Sequence, residues 1–323
     1  MDFLVFHFPV SGVETSLVIP PLVAFIVSIF TSMGGLSGAF LLLPFQVSFL
    51  HFTSPSVSAT NFVYNIVGIP SGAYRYLREG RMAWPLTLVV IIGTLPGVYI
   101  GYYLRILYMP DPRAFKLFAG CVLLYIGARL LYEMTPWFRG NRQMNRFEEK
   151  FKRRIQGNRE EKGTRLAAGF PADAVVRTIS VTFRRVEFEF WGLRYTFHSV
   201  GMFLLAFFVG IIGGAYGIGG GAIIAPFCVA IFGLPIYIVA GAALSATFIT
   251  SIAGVFFYSM IPSPQGLSTA PDWLLGSLFG LGGFFGIYIG ARLQKYVPQK
   301  FIKLMLGFFI TYIAIQYVWQ YFG

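Results

Sequence analysis

Charged residues are scarce in this sequence. Of its 323 residues, 12% are Asp, Glu, Lys or Arg and 56% are hydrophobic, and the mean hydropathy is +0.68. A soluble protein of this length cannot cover its surface with so few charges. The composition therefore excludes an ordinary soluble protein and indicates a polytopic membrane protein that has the lipid bilayer as its surroundings.

Cysteine and histidine are nearly absent as well. Cys121 and Cys228 both lie within apolar runs, so the sequence offers no disulfide framework. The three histidines are scattered without the spacing of a metal site. No Ser/His/Asp or Cys/His arrangement and no paired acids stand out, which argues against an enzyme. We therefore expect no catalytic residues, no metal and no cofactor.

The few charges are concentrated in the middle of the chain. Of the 25 basic residues, 14 lie between Arg139 and Arg194. The net charge of +12 could suggest nucleic acid, but cytoplasmic loops of membrane proteins carry an excess of Lys and Arg. We therefore expect a basic cytoplasmic insert over residues 137–198 and no nucleic-acid partner.

Two patterns divide this insert. Residues 142–154 are basic with apolar residues at helical spacing, which fits either a helix on anionic headgroups or a solvated linker. From Val175 the period changes to two, with Val186, Phe188 and Phe190 alternating with glutamates. This pattern predicts strands, and Gly192 is placed to turn a small β-hairpin.

Apolar segments fill the remainder of the chain, five before the insert and five after it. They fall at about 17–33, 36–50, 57–74, 84–105 and 114–133, and at about 199–216, 218–232, 236–260, 272–293 and 299–321. A full crossing needs about 20 apolar residues. The segments 36–50 and 218–232 are shorter, and each follows a glycine-rich break.

The second half of the chain repeats the first. Pro44-Phe45 recurs as Pro226-Phe227, and Ser58-Ala59-Thr60 recurs as Ser245-Ala246-Thr247. Further matches at a shift of 189 pair Trp84, Gly93, Gly97, Tyr99 and Gly101 with Trp273, Gly282, Gly286, Tyr288 and Gly290. We predict two related membrane repeats, residues 1–136 and 199–323.

Charge predicts how the repeats are oriented. The loop Tyr74–Arg81 carries three arginines and should be cytoplasmic, whereas its counterpart Ser259–Asp272 has no Lys or Arg and should lie outside. Equivalent loops on opposite sides require inverted repeats. We therefore predict an all-α polytopic inner-membrane protein with two inverted repeats of about five segments each, glycine-broken short helices, and both termini outside. The loop with Arg105, Arg113 and Lys116 disagrees, and four crossings plus a re-entrant segment per half is an alternative.

The two glycine-rich breaks occupy corresponding places in the two halves. Paired interruptions of this kind point to a transporter's binding site, because a helix that begins at membrane depth presents free N–H groups and a positive dipole end to an anion. Close helix packing of the small-xxx-small type is the alternative. The candidate residues are Gly34, Gly35, Ser37 and Gly38, and Gly217, Gly219, Gly220 and Gly221.

Matched polar clusters follow the breaks. Because Asn61 and Asn65 are four residues apart, they share a helix face, and amides within a span often face a polar cavity. Ser and Thr hydroxyls either join such a site or bond back to their own helix. The substrate-binding candidates here are Ser58, Thr60, Asn61 and Asn65, with Ser245 and Thr247 in the second half.

The breaks GGLSGAFLLLPF and GGAYGIGGGAIIAPF, the two SAT triplets and the stretch GIYIGARLQKYVPQKFIKLMLG resemble the TauE/SafE sulfite exporter family over both membrane halves. The resemblance implies a secondary transporter, often an exporter, of sulfite, sulfoacetate or other organosulfonates, or thiosulfate. Alternating access would occur around a central site between the repeats. An anion channel and a membrane-anchored sensor or assembly protein acting through the insert are the alternatives. The glycine-rich faces would permit a homodimer.

Overall fold

A computed structural model describes residues 5–33, 36–132, 175–263, 268–293 and 299–322. Within these ranges the chain forms ten α-helices, one π-helical turn and two small β-sheets. The prediction of a mainly helical membrane protein is confirmed. Gly34, Gly35 and the basic stretch 142–154 lie outside the described residues.

Five helices precede the insert and five follow it within the described ranges. The first five are α1 (Ile19–Met33), α2 (Ala39–Ser48), α3 (Ser56–Arg78), α4 (Trp84–Tyr103) and α5 (Pro112–Tyr132). The π-helical turn Leu104–Tyr108 extends α4. The second five are α6 (Ser199–Tyr216), α7 (Gly221–Phe232), α8 (Ile236–Met260), α9 (Trp273–Leu293) and α10 (Gln299–Phe322).

Helix length separates the membrane spans from the interrupted segments. In the described chain, five helices are long and apolar enough to cross a membrane: α4 with its π-helical turn, α5, α6, α8 and α9. The helices α1 and α2 contain 15 and 10 residues, which corresponds to roughly 22 and 15 Å. Both are shorter than the hydrocarbon core of about 30 Å. We therefore expect the break between them to fall at membrane depth.

Glycines along one face of α4 allow this helix to lie directly on α6. A methyl group at Gly93 would come within 2.8 Å of the Phe203 carbonyl oxygen. Gly97 and Gly101 meet the backbone of α6 in the same way, at Phe207 and Ile211. Because the residue numbers rise together along both helices, α4 and α6 run in the same direction.

The helix α9 packs on α1 through a second set of glycines, which stand 189 positions after those of α4. Gly282, Gly286 and Gly290 lie against the backbone at Pro21, Phe25 and Ile29 respectively. These three α1 residues precede Phe203, Phe207 and Ile211 by 182 positions each, which is the shift that separates the two Pro-Phe pairs. The helices α1 and α9 therefore run parallel, and the α1–α9 and α4–α6 contacts match residue for residue.

The helices α3 and α8 pair at the centre of the bundle. The ring of Phe62 lies 6.0 Å from the ring of Tyr258, while Tyr76 at the other end of α3 covers Gly241. Because the residue numbers rise along α3 while those of its contacts on α8 fall, this pair is antiparallel. Of the five candidate spans, α8 is the most enclosed, because 72% of its most apolar 18-residue stretch is buried.

Two further contacts attach the outer helices to this central pair. Along α3, Gly68 meets the backbone of Gly280 and Gly72 meets Ile287, so α3 and α9 are parallel. Along α8, the Ser245 hydroxyl lies 3.6 Å from the sulfur of Met82, just before α4. At the far end, the ring of Tyr258 lies 4.9 Å from that of Tyr102. The helices α4 and α8 are therefore parallel too.

Two small sheets flank the helices. β1 (Val5–Phe8) pairs with β2 (Val13–Ser16), a hairpin that the sequence did not predict. In the insert, β3 (Val176–Val181), β4 (Arg185–Phe190) and β5 (Leu193–His198) form an antiparallel sheet. Trp191 and Gly192 both have positive φ, as a two-residue hairpin turn requires. The predicted hairpin at Gly192 is confirmed.

We predict that Gly97→Ala lowers stability, because the new methyl group would press on the backbone of α6, which cannot move aside as a side chain can. Overpacking of this kind costs about 1–3 kcal/mol. Thermal unfolding of the purified protein in detergent measures the effect.

Gly201→Ala, on α6, is the matched control. The nearest atom to a methyl group there would be 3.7 Å away, so we expect a neutral or slightly stabilising change. Equal unfolding temperatures for the two variants would contradict the glycine-mediated packing of α4 on α6.

Candidate functional site

The first break lies immediately before α2 and faces α3. Ser37 is fully buried, and its hydroxyl donates to the Oδ1 atom of Asn65 at 2.7 Å. The same hydroxyl accepts the Ala39 N–H at 3.3 Å, in the first turn of α2. On the other side of Gly38, the Ser28 and Tyr64 hydroxyls are 2.8 Å apart. The end of this break is therefore enclosed by polar side chains.

The second break turns the chain sharply between α6 and α7. Gly217 and Gly219 have φ angles of +85° and +74°, a conformation that side chains other than glycine adopt at a cost. Gly217 lies against the backbone of Ser58, and Gly219 against the side chain of Thr247. Gly220 packs on Thr94. The break thus fits between α3 and α8 at the centre of the bundle.

Asn65 connects the two breaks. Its Oδ1 atom accepts from Ser37 of the first break, and its Nδ2 atom donates to the Ile218 carbonyl of the second break at 3.1 Å. Ser58 adds a parallel link, since its hydroxyl donates to the Ala215 carbonyl at 3.2 Å. One helix, α3, therefore holds both interruptions.

Asn61 lies one helical turn before Asn65 and binds the start of α2. Its Nδ2 atom donates to the Ala39 carbonyl at 2.9 Å, and its Oδ1 atom accepts from Gln46 at 3.3 Å. Both asparagines are fully buried. They share one face of α3, and that face is directed at the breaks.

The beginnings of α2 and α7 suit an anion. Both N-cap residues are glycines, Gly38 and Gly220, so no side chain at the N-cap position bonds the first turn, although Ser37 accepts the Ala39 N–H of α2. The side chains between the breaks are neutral amides and hydroxyls. Their donors, together with the positive ends of two helices, can bind a small anion without a counter-charge in the immediate site.

Two predicted residues lie away from this cluster. The Thr60 hydroxyl accepts the Asp272 N–H at 2.9 Å, beside the start of α9. Ser245 is half-buried and its hydroxyl is directed at the sulfur of Met82. Thr247 bonds back to the Ala243 carbonyl at 2.8 Å, as the alternative interpretation allows, yet its side chain also touches Gly219 and Gly221.

The structure adds residues that sequence reasoning missed. Gln46 on α2 is fully buried and bonds Asn61, and among the described residues nothing pairs with its Oε1 atom. An amide inside an otherwise apolar run was the available signal. Tyr216 donates its hydroxyl to the Phe40 carbonyl of α2 at 2.9 Å, which connects the end of α6 to the other half. The position of Tyr216 inside the second glycine break, GGAYGIGGG, was the available signal.

Arg105 corrects one sequence interpretation. We counted it among the charges of an external loop, where it disagreed with the predicted orientation. It lies instead on the π-helical turn after α4 and is fully buried. A buried arginine does not report on which side of the membrane a loop lies, so the disagreement is reduced to Arg113 and Lys116.

Comparison with known proteins identifies the family of the chain. The family model for the sulfite exporter TauE/SafE matches residues 21–317. The "Probable membrane transporter protein YunE" of Bacillus subtilis (strain 168) is 22% identical over 300 residues, covering 90% of this chain and 92% of that protein. No solved structure matches the chain. A match that begins in α1, ends in α10 and includes both glycine breaks shows that this multi-pass membrane protein belongs to the TauE/SafE sulfite exporter family of transporters.

Proposed function

We propose that the protein is a secondary transporter, working as an exporter, of small sulfur-containing anions: sulfite, sulfoacetate or other organosulfonates, or thiosulfate. The substrate binds where the two glycine breaks meet. The observation that carries this proposal is the Asn65 amide, which joins Ser37 in one break to Ile218 in the other.

The chemistry of the site supports an oxyanion. A sulfo group presents several acceptor oxygens, and the site offers N–H donors at two helix starts together with the amides of Asn61 and Asn65. In this structure Gly217, Gly219 and Gly220 pack on Ser58, Thr247 and Thr94, so a ligand would approach the backbone of the second break closely once these contacts separate. Because the immediate donors are uncharged, binding remains reversible enough for release.

The directions of the helices support two inverted repeats. α4 runs parallel to α8, α8 antiparallel to α3, and α3 parallel to α9. It follows that α4 and its counterpart α9 are antiparallel. Because α1 runs parallel to α9 and α6 runs parallel to α4, α1 and its counterpart α6 are antiparallel too. Three helices of one half, α1, α3 and α4, thus have counterparts of opposite direction in the other.

The glycine contacts suggest which bodies move during alternating access. Because α4 is interlocked with α6 and α1 with α9, each half is tied to the other by its own helices. The moving units are therefore two mixed bundles, α1–α3–α9 and α6–α4–α8, rather than the two halves. They meet along α3 and α8, where the breaks lie, so the Asn65–Ile218 hydrogen bond crosses between bundles.

We predict saturable uptake of at least one labelled sulfur anion into proteoliposomes, with sulfite, sulfoacetate and thiosulfate each competed by sulfate and chloride. Gly220→Leu, which would drive a side chain into Thr94, and Asn61→Leu, which removes the bond to Ala39, should each lower flux per folded protein at least about tenfold.

Ser71→Ala is the control. Its hydroxyl donates to the Gly68 carbonyl on its own helix and to the Phe284 carbonyl on α9, away from the breaks, so this variant should retain the flux. Flux that never saturates and shows no counterflow would indicate an anion channel instead. If the folded protein carries none of the three anions, the proposal fails and a role for the insert becomes the better hypothesis.

We predict opposite exposure for two equivalent loops. In a background with Cys121→Ser and Cys228→Ala, Arg78→Cys at the end of α3 should react with an impermeant maleimide only after cells are permeabilised. Ser268→Cys, before α9, should react in intact cells. Both positions are exposed, so access is limited by the membrane and not by burial. Labelling of both from the same side would contradict inverted repeats.

A further inference from the structure

Arg105 is a fully buried cation, and two of its guanidinium nitrogens have no hydrogen-bond partner in the described chain. Its Nη1 atom donates to the Met109 carbonyl, at the end of the π-helical turn. Within the described chain, neither Nε nor Nη2 has a hydrogen-bond partner and no carboxylate pairs with the side chain. By contrast, Arg75 bonds Glu79 at 2.9 Å. A buried charge without a partner is costly, and within membranes such residues commonly mark ion pathways.

The free atoms form the edge of the guanidinium that binds oxyanions. Nε–H and the adjacent Nη2–H point in parallel, and together they can donate to two oxygens of one carboxylate, phosphate or sulfo group. The opposite end of the group is held by Met109, and the flat face lies over the Phe115 ring, 3.8 Å from its centroid. The side chain is therefore fixed at one end, while its bidentate edge is buried and has no hydrogen-bond partner within the described chain.

Arg105 borders the second glycine break. The Phe115 ring beneath it lies 6.3 Å from the ring of Tyr216, the residue that precedes Gly217. Tyr258 interacts electrostatically with Arg105 and donates its hydroxyl to the Gly214 carbonyl at 3.1 Å. One layer of aromatic side chains thus separates the guanidinium from the end of α6.

The local backbone is unusual at this point. Leu104–Tyr108 form a π-helical turn directly after the glycine face of α4, and single π-helical turns within helices occur frequently at functional sites. The turn packs near α6, so a shift of α4 and α6 would carry Arg105 with it.

We infer that Arg105 is the charged recognition residue of the transporter, where the Nε and Nη2 edge binds two oxygens of the sulfur anion as it passes to or from the neutral site at the breaks. This inference rests on the proposed function. In this division of roles, Arg105 attracts and selects the anion, and the uncharged amides between the breaks hold it reversibly.

The first test compares sulfite flux in proteoliposomes for Arg105→Gln, Arg105→Lys and the wild type. The half-saturating sulfite concentration should rise at least about tenfold in Arg105→Gln, because a bidentate charged contact is lost. Arg105→Lys keeps the positive charge but lacks the paired N–H donors, so its half-saturating concentration should lie between those of the wild type and Arg105→Gln. Arg75 lies at the far end of the bundle and pairs with Glu79. Arg75→Gln should therefore change the half-saturating sulfite concentration less than about twofold.

Arg105→His separates recognition from a structural role. A histidine is a cation at low pH, so the flux of this variant divided by wild-type flux at the same pH should rise as the pH falls from about 8 to 6. Dividing by the wild type removes the effect of sulfite protonation. An arginine that only holds the π-helical turn through Met109 predicts a flat ratio, and this comparison is made within one folded variant.

The outcomes are distinct. If the wild type transports sulfite while Arg105→Gln keeps the wild-type half-saturation and the Arg105→His ratio is flat, Arg105 is structural and the proposed transport function stands. If the folded wild type carries none of the sulfur anions, both proposals fail. A raised half-saturation together with a pH-dependent ratio supports the assignment.

Discussion

The buried amide of Asn65 holds together the two glycine breaks, which we expect to lie inside the membrane. In hydrocarbon, backbone groups freed by such a break must be satisfied by protein or by a ligand. Asn65 accepts a hydrogen bond from the Ser37 hydroxyl and donates one to the Ile218 carbonyl, so both breaks are satisfied by α3. The neutral, donor-rich cluster to which we assign the substrate depends on this arrangement.

Close backbone contact is the second requirement, and glycine meets it in matched places. The α4–α6 and α1–α9 contacts use the same spacing of glycines against corresponding residues, and each joins a helix of one half to a helix of the other. The bundle that results has two mixed units, with α3 and α8 at their boundary. Hydrogen bonds cross this boundary from Ser58 to Ala215 and from Asn65 to Ile218, and the alternating access that we propose would break and re-form them.

Sequence patterns predicted the elements better than their contacts. Apolar length and glycine breaks located all ten helices of the described chain, and period two located β4 and β5. The pairing of Asn61 and Asn65 on one face followed from helical spacing. The hydrogen-bond partners of Tyr216 and Gln46 could not be predicted, because they lie on other helices. The burial of Arg105 was missed because a charge at the edge of an apolar run ordinarily indicates a loop.

Anomalous diffraction from crystals grown with sodium selenite tests the central claim most directly, because selenite has the shape and charge of sulfite and selenium reports its own position. We predict a selenium peak between the start of α2 and the start of α7, within hydrogen-bond reach of Asn61 or Asn65. A peak confined to the basic insert or to the outer surface, with nothing between the breaks, would contradict a binding site built from two interrupted helices.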